Sequence, residues 1–378
     1  MSLFFPASDD GVVTNEPRLH ALVIGVDAYD HLGLGVPKPS NLLNGLAPLT
    51  IAVPSARSIA RWLETEYKNP DCPLGSIELL LAPGETLTRK DGSEATIEKS
   101  TMANIDNAVA AWFRRCNANP QNIAFFYFAG HGISTVVGRY ILPADFGNPD
   151  IPDDWKNCID AAGLQVGMNK CKAQHQYFFL DACRDAPIDA LTQRQPRGNP
   201  LIGGADFDDN VELSAEYAAA SEGRQAFGKD GSGTFFSEAL IMCLNGMGAS
   251  RRAGKKTWRV DAASLSHGLL AVMQLIAERE NLPLSCECRV QKPVSLHFPA
   301  LGKVLVRVNC QIDEMKHESN ITLTQGNMVK NSPPGEPRPW IESAISGDAT
   351  ISVKYAHFPD ERIDDSLIPP VYDLELPL

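Results

Sequence analysis

The sequence predicts an α/β sandwich built on a mixed, mostly parallel sheet of about six strands, followed by a β-rich C-terminal region. Three observations carry this. Short apolar runs bounded by turn signals alternate with helically periodic segments through the first 300 residues. The runs are continuous rather than alternating, as in strands covered on both faces. After about residue 298 the pattern changes to short alternating segments divided by Pro- and Gly-rich turns.

Residues 19–27 (LHALVIGVD), 77–82 (IELLLA), 122–129 (NIAFFYFA) and 175–181 (HQYFFLD) are dense in Val, Ile, Leu and Phe and read as the buried strands. Between them, 55–67 and 101–116 carry apolar residues at helical spacing, the second opened by Ser100 or Thr101 as N-cap. Residues 185–213, rich in Pro, Gly, Asp and Arg, read as a long exposed loop, a length that calls for a functional reason. A strand at 215–220 and helices near 234–244 and 262–280 complete the main domain. Beyond it, 303–308, 319–324, 349–355 and 371–376 read as strands of a small β unit.

The 378 residues, 44% hydrophobic, can bury a large core. A net charge of -12 argues against nucleic-acid binding, because no long basic stripe is present to replace phosphate counterions. The one dense basic run, Arg251, Arg252, Lys255 and Lys256, is short and reads as a solvated loop. No apolar stretch reaches the roughly 20 residues needed to cross a bilayer, and MSLFFPASDD lacks a signal peptide's basic and apolar regions, so a cytoplasmic location without membrane contact is expected. Nine scattered cysteines do not form a disulfide framework and read mostly as small buried hydrophobes. Cys286-Glu287-Cys288 is too tight for half of a zinc pair, and no metal or other cofactor is implied.

Two motifs close two of the buried strands, where open α/β sheets place their ligand crevices. Phe128-Ala129-Gly130-His131-Gly132 delivers an imidazole between two glycines, which let backbone approach a substrate. Phe179-Leu180-Asp181-Ala182-Cys183-Arg184-Asp185 delivers a cysteine among charges, where a structural cysteine would sit among apolar neighbours. The histidine stands 52 residues upstream of the cysteine, the arrangement of a caspase-type nucleophile in an xACR context.

On these residues, together with ALVIGVDAY at the first strand and YAAASEGRQAFGKDGSGTFFSEAL after the loop, residues 19–281 resemble the caspase-like fold of clan CD cysteine peptidases, especially prokaryotic caspase-family proteins and metacaspases. The resemblance implies a caspase-like three-layer sandwich over 17–298, with a large-subunit-like part to about 185, a linker at 186–213 and a small-subunit-like part at 214–298; 299–378 form the β-rich C-terminal region. It implies an endopeptidase working through an acyl-thioenzyme, with Cys183 as nucleophile, His131 as base and later acid, and the N–H groups of Gly132 and Cys183 as the oxyanion hole. No third triad acid is assigned.

By the same resemblance Asp181, two residues before the cysteine, belongs to an S1 pocket that favours Arg or Lys at P1, since a charge-assisted pair forms where water is scarce. Metacaspases supply a second acid from an Asn-Asp-Ala segment; the matching stretch here is Val53-Pro54-Ser55-Ala56, so that acid is missing. Ser221 and Glu222, in the loop after the 215–220 strand, are the residues expected to complete S1. The alternative for Asp181 is that it orients the active-site loop. Relatives are cut in the 186–213 segment on activation. Arg194 and Arg197 suit self-cleavage, while cutting by another protease, or none, stays open. The expected partners are protein or peptide substrates and an upstream activating protease or regulator, in a prokaryotic stress, cell-death or antiphage defence pathway.

Rival readings fit less well. Residues 223–229 (GRQAFGK) approach a phosphate-binding loop, but Asp230 replaces the magnesium-binding hydroxyl and Gly231-Ser232-Gly233 breaks the required helix. Asp206, Asp208 and Asp209 read as a solvated acidic loop rather than a calcium site. Neither HExxH nor GxSxG is present. The remaining alternative is a catalytically silent caspase-like scaffold that recruits partners.

Overall fold

The computed structural model describes residues 2–6, 15–31, 46–135, 138–151, 153–182, 198–203, 211–219, 227–290, 292, 294–312, 319–333 and 339–376. Its centre is a seven-stranded sheet, one strand more than the number expected. Its strands are β1 (Leu3–Phe5), β2 (Leu19–Val26), β3 (Leu74–Ala82), β4 (Ile123–Gly130), β5 (His175–Ala182), β6 (Leu213–Ala218) and β7 (Glu287–Arg289), in spatial order β1-β3-β2-β4-β5-β6-β7. The inner five are parallel and the two short edge strands antiparallel. Every residue of β2 and β4 is buried, which is why both sequences are continuous apolar runs.

The chain steps from β2 outward to β3 and then back across to β4. With one handedness of crossover, opposite steps put successive helices on opposite faces. Helix α1 (Ala52–Thr65) accordingly packs on one face with α4 (Phe235–Met242) and α5 (Ala262–Glu280). Helices α2 (Met102–Cys116) and α3 (Ala161–Met168) cover the other. Thr101 caps α2 by accepting from Asn104 N at 3.4 Å. Helix α1 opens three residues earlier than its periodicity suggests, because its first N–H groups are met from a distance: Ala52 N and Val53 N donate to the Asp27 carboxylate at 2.8 and 3.1 Å.

The C-terminal unit holds seven strands among the described residues where four were read: β8 (Lys303–Cys310), β9 (Asn320–Gln325), β10 (Met328–Asn331), β11 (Trp340–Ile345), β12 (Gly347–Lys354), β13 (Glu361–Leu367) and β14 (Val371–Leu376). They form sheets ordered β11-β8-β14 and β10-β9-β12-β13 around a separate core including Val306, Ile321, Leu323, Trp340 and Ile351. Arg307 of β8, 9% exposed, ties the unit to the main domain. Its guanidinium donates to both oxygens of Glu278 on α5 at 2.8 Å and also to Asp373 and Glu375 on β14. No helix among the described residues is long and apolar enough to cross a membrane.

Candidate active site

The direction of chain progress reverses about β2 and β4, and such switch points leave a crevice at the carboxyl ends of the strands. Those ends are level. Gly25 lies opposite Ala129, Ala129 opposite Asp181, and Gly130 opposite Ala182. His131 therefore leaves β4 beside the end of β5, and Cys183 is the residue bonded to Ala182. Cys183 itself lies outside the described residues, as do Arg194, Arg197, Ser221 and Glu222.

His131 is buried and held at three points. Its backbone N–H donates to the Tyr29 hydroxyl at 2.7 Å, its ring lies 5.0 Å from the Tyr29 ring, and its Nε2 is 2.7 Å from the Ala47 carbonyl oxygen. A carbonyl oxygen only accepts, so Nε2 carries the proton and Nδ1 keeps the lone pair. Burial holds the ring's pKa below its ordinary value, so the imidazole is neutral at pH 7. The glycine before it is required: Gly130 has φ +156, and a Cβ there would come within 3.0 Å of both Phe128 and the Tyr29 hydroxyl. The His131 carbonyl accepts from Leu142 N at 3.1 Å, which makes Gly132 and Ile141 a non-hydrogen-bonded antiparallel pair. The Gly132 N–H consequently points away from the Arg139–Ile141 strand.

Asp181 lies on the α1–α4 side of the sheet, 1% exposed. One carboxylate oxygen accepts from the Tyr127 hydroxyl at 2.6 Å and from the Thr234 hydroxyl. The other, Oδ1, has no partner among the described residues. Burial raises its pKa to about 6, against the lowering effect of the Thr234 and Tyr127 hydroxyls. Thr234 ends the hairpin Gly228–Lys229 and Gly233–Thr234 and caps α4, and its N–H donates to Ser55 Oγ at 2.8 Å. Ser55, in the Val53–Ala56 stretch, thus shares the Asp181 cluster. The hairpin also replaces the helix start that a phosphate-binding loop would need after Lys229.

Four contributors had no role in the sequence reading. Asp27 and Tyr29 lie in ALVIGVDAY, quoted only as a resemblance, and Thr234 carries the T-x-x-S signature of an N-cap. The Ala47 carbonyl is backbone and leaves no residue-type signal. Among the described residues, no group of three His, Cys, Asp or Glu side chains is arranged to hold a metal ion. Two clefts lie elsewhere. One, of about 490 Å³, is on the C-terminal sheet near Asp348, Asp364 and Asp365; the other, of about 500 Å³, lies between Trp258 and Pro370.

The caspase-domain family model matches residues 18–293, and the chain belongs to the caspase family. The uncharacterized protein y4kE of Sinorhizobium fredii is 29% identical over 215 residues, 56% of this chain and 60% of that protein. A probable protease of a Desulfuromonadales bacterium is 26% identical over 174 residues, 44% of this chain and 18% of that protein. The chain therefore spans less than two thirds of either curated relative. Among solved structures, caspase-1 of Spodoptera frugiperda aligns with a TM-score of 0.43 and 10% identity, over 76% of this chain and 92% of that one.

Proposed function

We propose that the chain is a cysteine endopeptidase that cleaves after Arg or Lys, with Cys183 as nucleophile and His131 as base. The observation that carries this is the fixed imidazole at the end of β4. Its tautomer leaves Nδ1 as acceptor, and the Gly130–Ala182 register brings the chain to Cys183 one residue later.

In this reading the thiol proton passes to His131 Nδ1, and the thiolate attacks the scissile carbonyl carbon. The developing oxyanion is met by the N–H groups of Gly132 and Cys183. His131, now an imidazolium, gives its proton to the departing amine. It then takes a proton from the water that hydrolyses the thioester. The P1 cation pairs with Asp181 Oδ1, which has no partner among the described residues, over a floor made by Ser55, Thr234 and the Tyr127 hydroxyl, and Ser221 and Glu222 are the residues proposed to complete the pocket.

The enzyme would be kept latent until its 186–213 segment is cut, at Arg194 or Arg197 by itself or by an upstream protease. The two relatives are bacterial, which agrees with a role in prokaryotic stress, cell-death or antiphage defence.

Purified protein, intact and nicked within 186–213, is assayed on matched fluorogenic peptides ending in Arg, Lys or Asp. Cleavage after Arg and Lys should fall at least about 1,000-fold in Cys183→Ala and in His131→Ala. Asp preference would overturn the S1 assignment alone. Silence of the nicked wild type would instead support a non-catalytic scaffold.

A further inference from the structure

The far edge of the sheet carries a second sulfur site, unconnected with His131. Entering and along β7 the chain runs Cys286-Glu287-Cys288-Arg289, Cys286 standing just before the strand, with Glu287 paired to Ala218 and Cys288 to Tyr217. Alternate strand residues point to opposite faces. Glu287 faces outward, to Arg139 at 3.1 Å. Cys286 and Cys288 both face the core beneath α5, where Cys288 Sγ lies 4.0 Å from the Ser266 carbonyl. The nearness of the two thiols pushes the Cys286 pKa up and holds that of Cys288 below its usual value. Cys286 is buried and Cys288 half-buried, so the sulfur favoured as thiolate is also the one nearer solvent.

We propose that Cys286 and Cys288 are a peroxide-reactive dithiol that closes to a disulfide within one strand. The Cys288 thiolate attacks one oxygen of hydrogen peroxide, the O–O bond breaks, and the released hydroxide takes a proton to leave as water, giving a sulfenic acid on Cys288. Cys286 loses its proton and attacks the Cys288 sulfur, the S–O bond breaks, and a second water leaves. The two thiols are oxidised by two electrons and the peroxide is reduced. Two strand steps of about 3.3 Å each put the Cα atoms near the upper limit for a bridge. Cys286 precedes the first paired residue of β7, so its backbone is free of the ladder and can close that gap. Cys243, in the same core cluster, is fully buried.

The test uses the full chain carrying Cys183→Ala, which removes the proposed catalytic thiol from the readout. After brief peroxide treatment, the protein is denatured, alkylated with iodoacetamide and digested with trypsin. The 280–289 peptide should lose two hydrogens and take up no iodoacetamide, and dithiothreitol treatment should restore both alkylations. In Cys286→Ser, Cys288 should instead be trapped by dimedone as the sulfenic acid. Two alkylations surviving on the peroxide-treated peptide, a bridge to Cys243, or no dimedone on Cys288 in Cys286→Ser would each overturn the proposal.

Discussion

Glu78 and Asp181 are both 1% exposed and stand on strands of one sheet, yet their surroundings differ. Glu78 on β3 meets the Arg115 guanidinium and the Ser2 hydroxyl. Among the described residues, Asp181 on β5 meets two hydroxyls only, and one of its oxygens has no partner. A buried carboxylate without a cation costs stability, whereas a paired one is costly to disturb. Both oxygens of Glu78 are met within the fold. The environment of Asp181, in the proposed function, is completed by the substrate.

The largest effect should come from breaking the Glu78 site. Arg115→Met leaves Glu78 buried and uncompensated and should cost about 3–5 kcal/mol in chemical denaturation. Asp181→Asn, measured alongside at about pH 8, should unfold no earlier than the parent, since it removes a charge that no described residue pairs. An equal loss in the two variants would end the contrast. Next in size, Asp181→Asn should lower kcat/KM on Arg peptides about 100-fold, chiefly through KM, a loss of about 2.7 kcal/mol of binding. Tyr29→Phe takes the acceptor from the His131 N–H and should lower kcat about tenfold with KM little changed.

The smallest effect is in the pH profile. Asp181 has a folded pKa of about 6, raised by burial, so it gains charge as pH rises through that value. KM for Arg peptides should fall from about pH 5 to about pH 7 and then level off. Burial lowers the His131 pKa, so its base form persists below the ordinary histidine range and should not produce that limb. An Asp181→Asn enzyme that keeps the limb would assign it elsewhere. The raised pKa also makes the parent fold relatively more stable below about pH 6, where Asp181 is neutral, a difference the Asn variant should lack.

The legible parts of the fold were those where burial on both faces forces continuous apolar sequence, as in LHALVIGV and IAFFYFAG. The strands missed are short or wet. LFF is three residues, and ERIDDSL on β13 has five exposed or charged positions in seven and no alternation to betray it. Edge β7 reads ECR, too polar for a buried strand, because only its cysteine side is covered. In the candidate site, His131 and Asp181 were singled out by residue type and neighbouring glycine or cysteine. The groups that orient them did not: a carbonyl at Ala47 is chemically the same at every residue, and the Thr234–Asp181 contact joins positions 53 residues apart.

Helix α1 is capped by a carboxylate 25 residues upstream in sequence, while its own N-cap, Ile51, offers no side-chain bond. An isolated 46–66 peptide lacks that acceptor and should be little helical, since a helix of this length is marginal in water even with good caps. The helix can be consolidated only once β2 is in place, and the same event draws in Leu49, bonded to the Asp27 carbonyl two residues after Ala47. Folding of the first crossover and orientation of the imidazole are thus one cooperative step, so a partly folded chain with α1 loose would expose no aligned base.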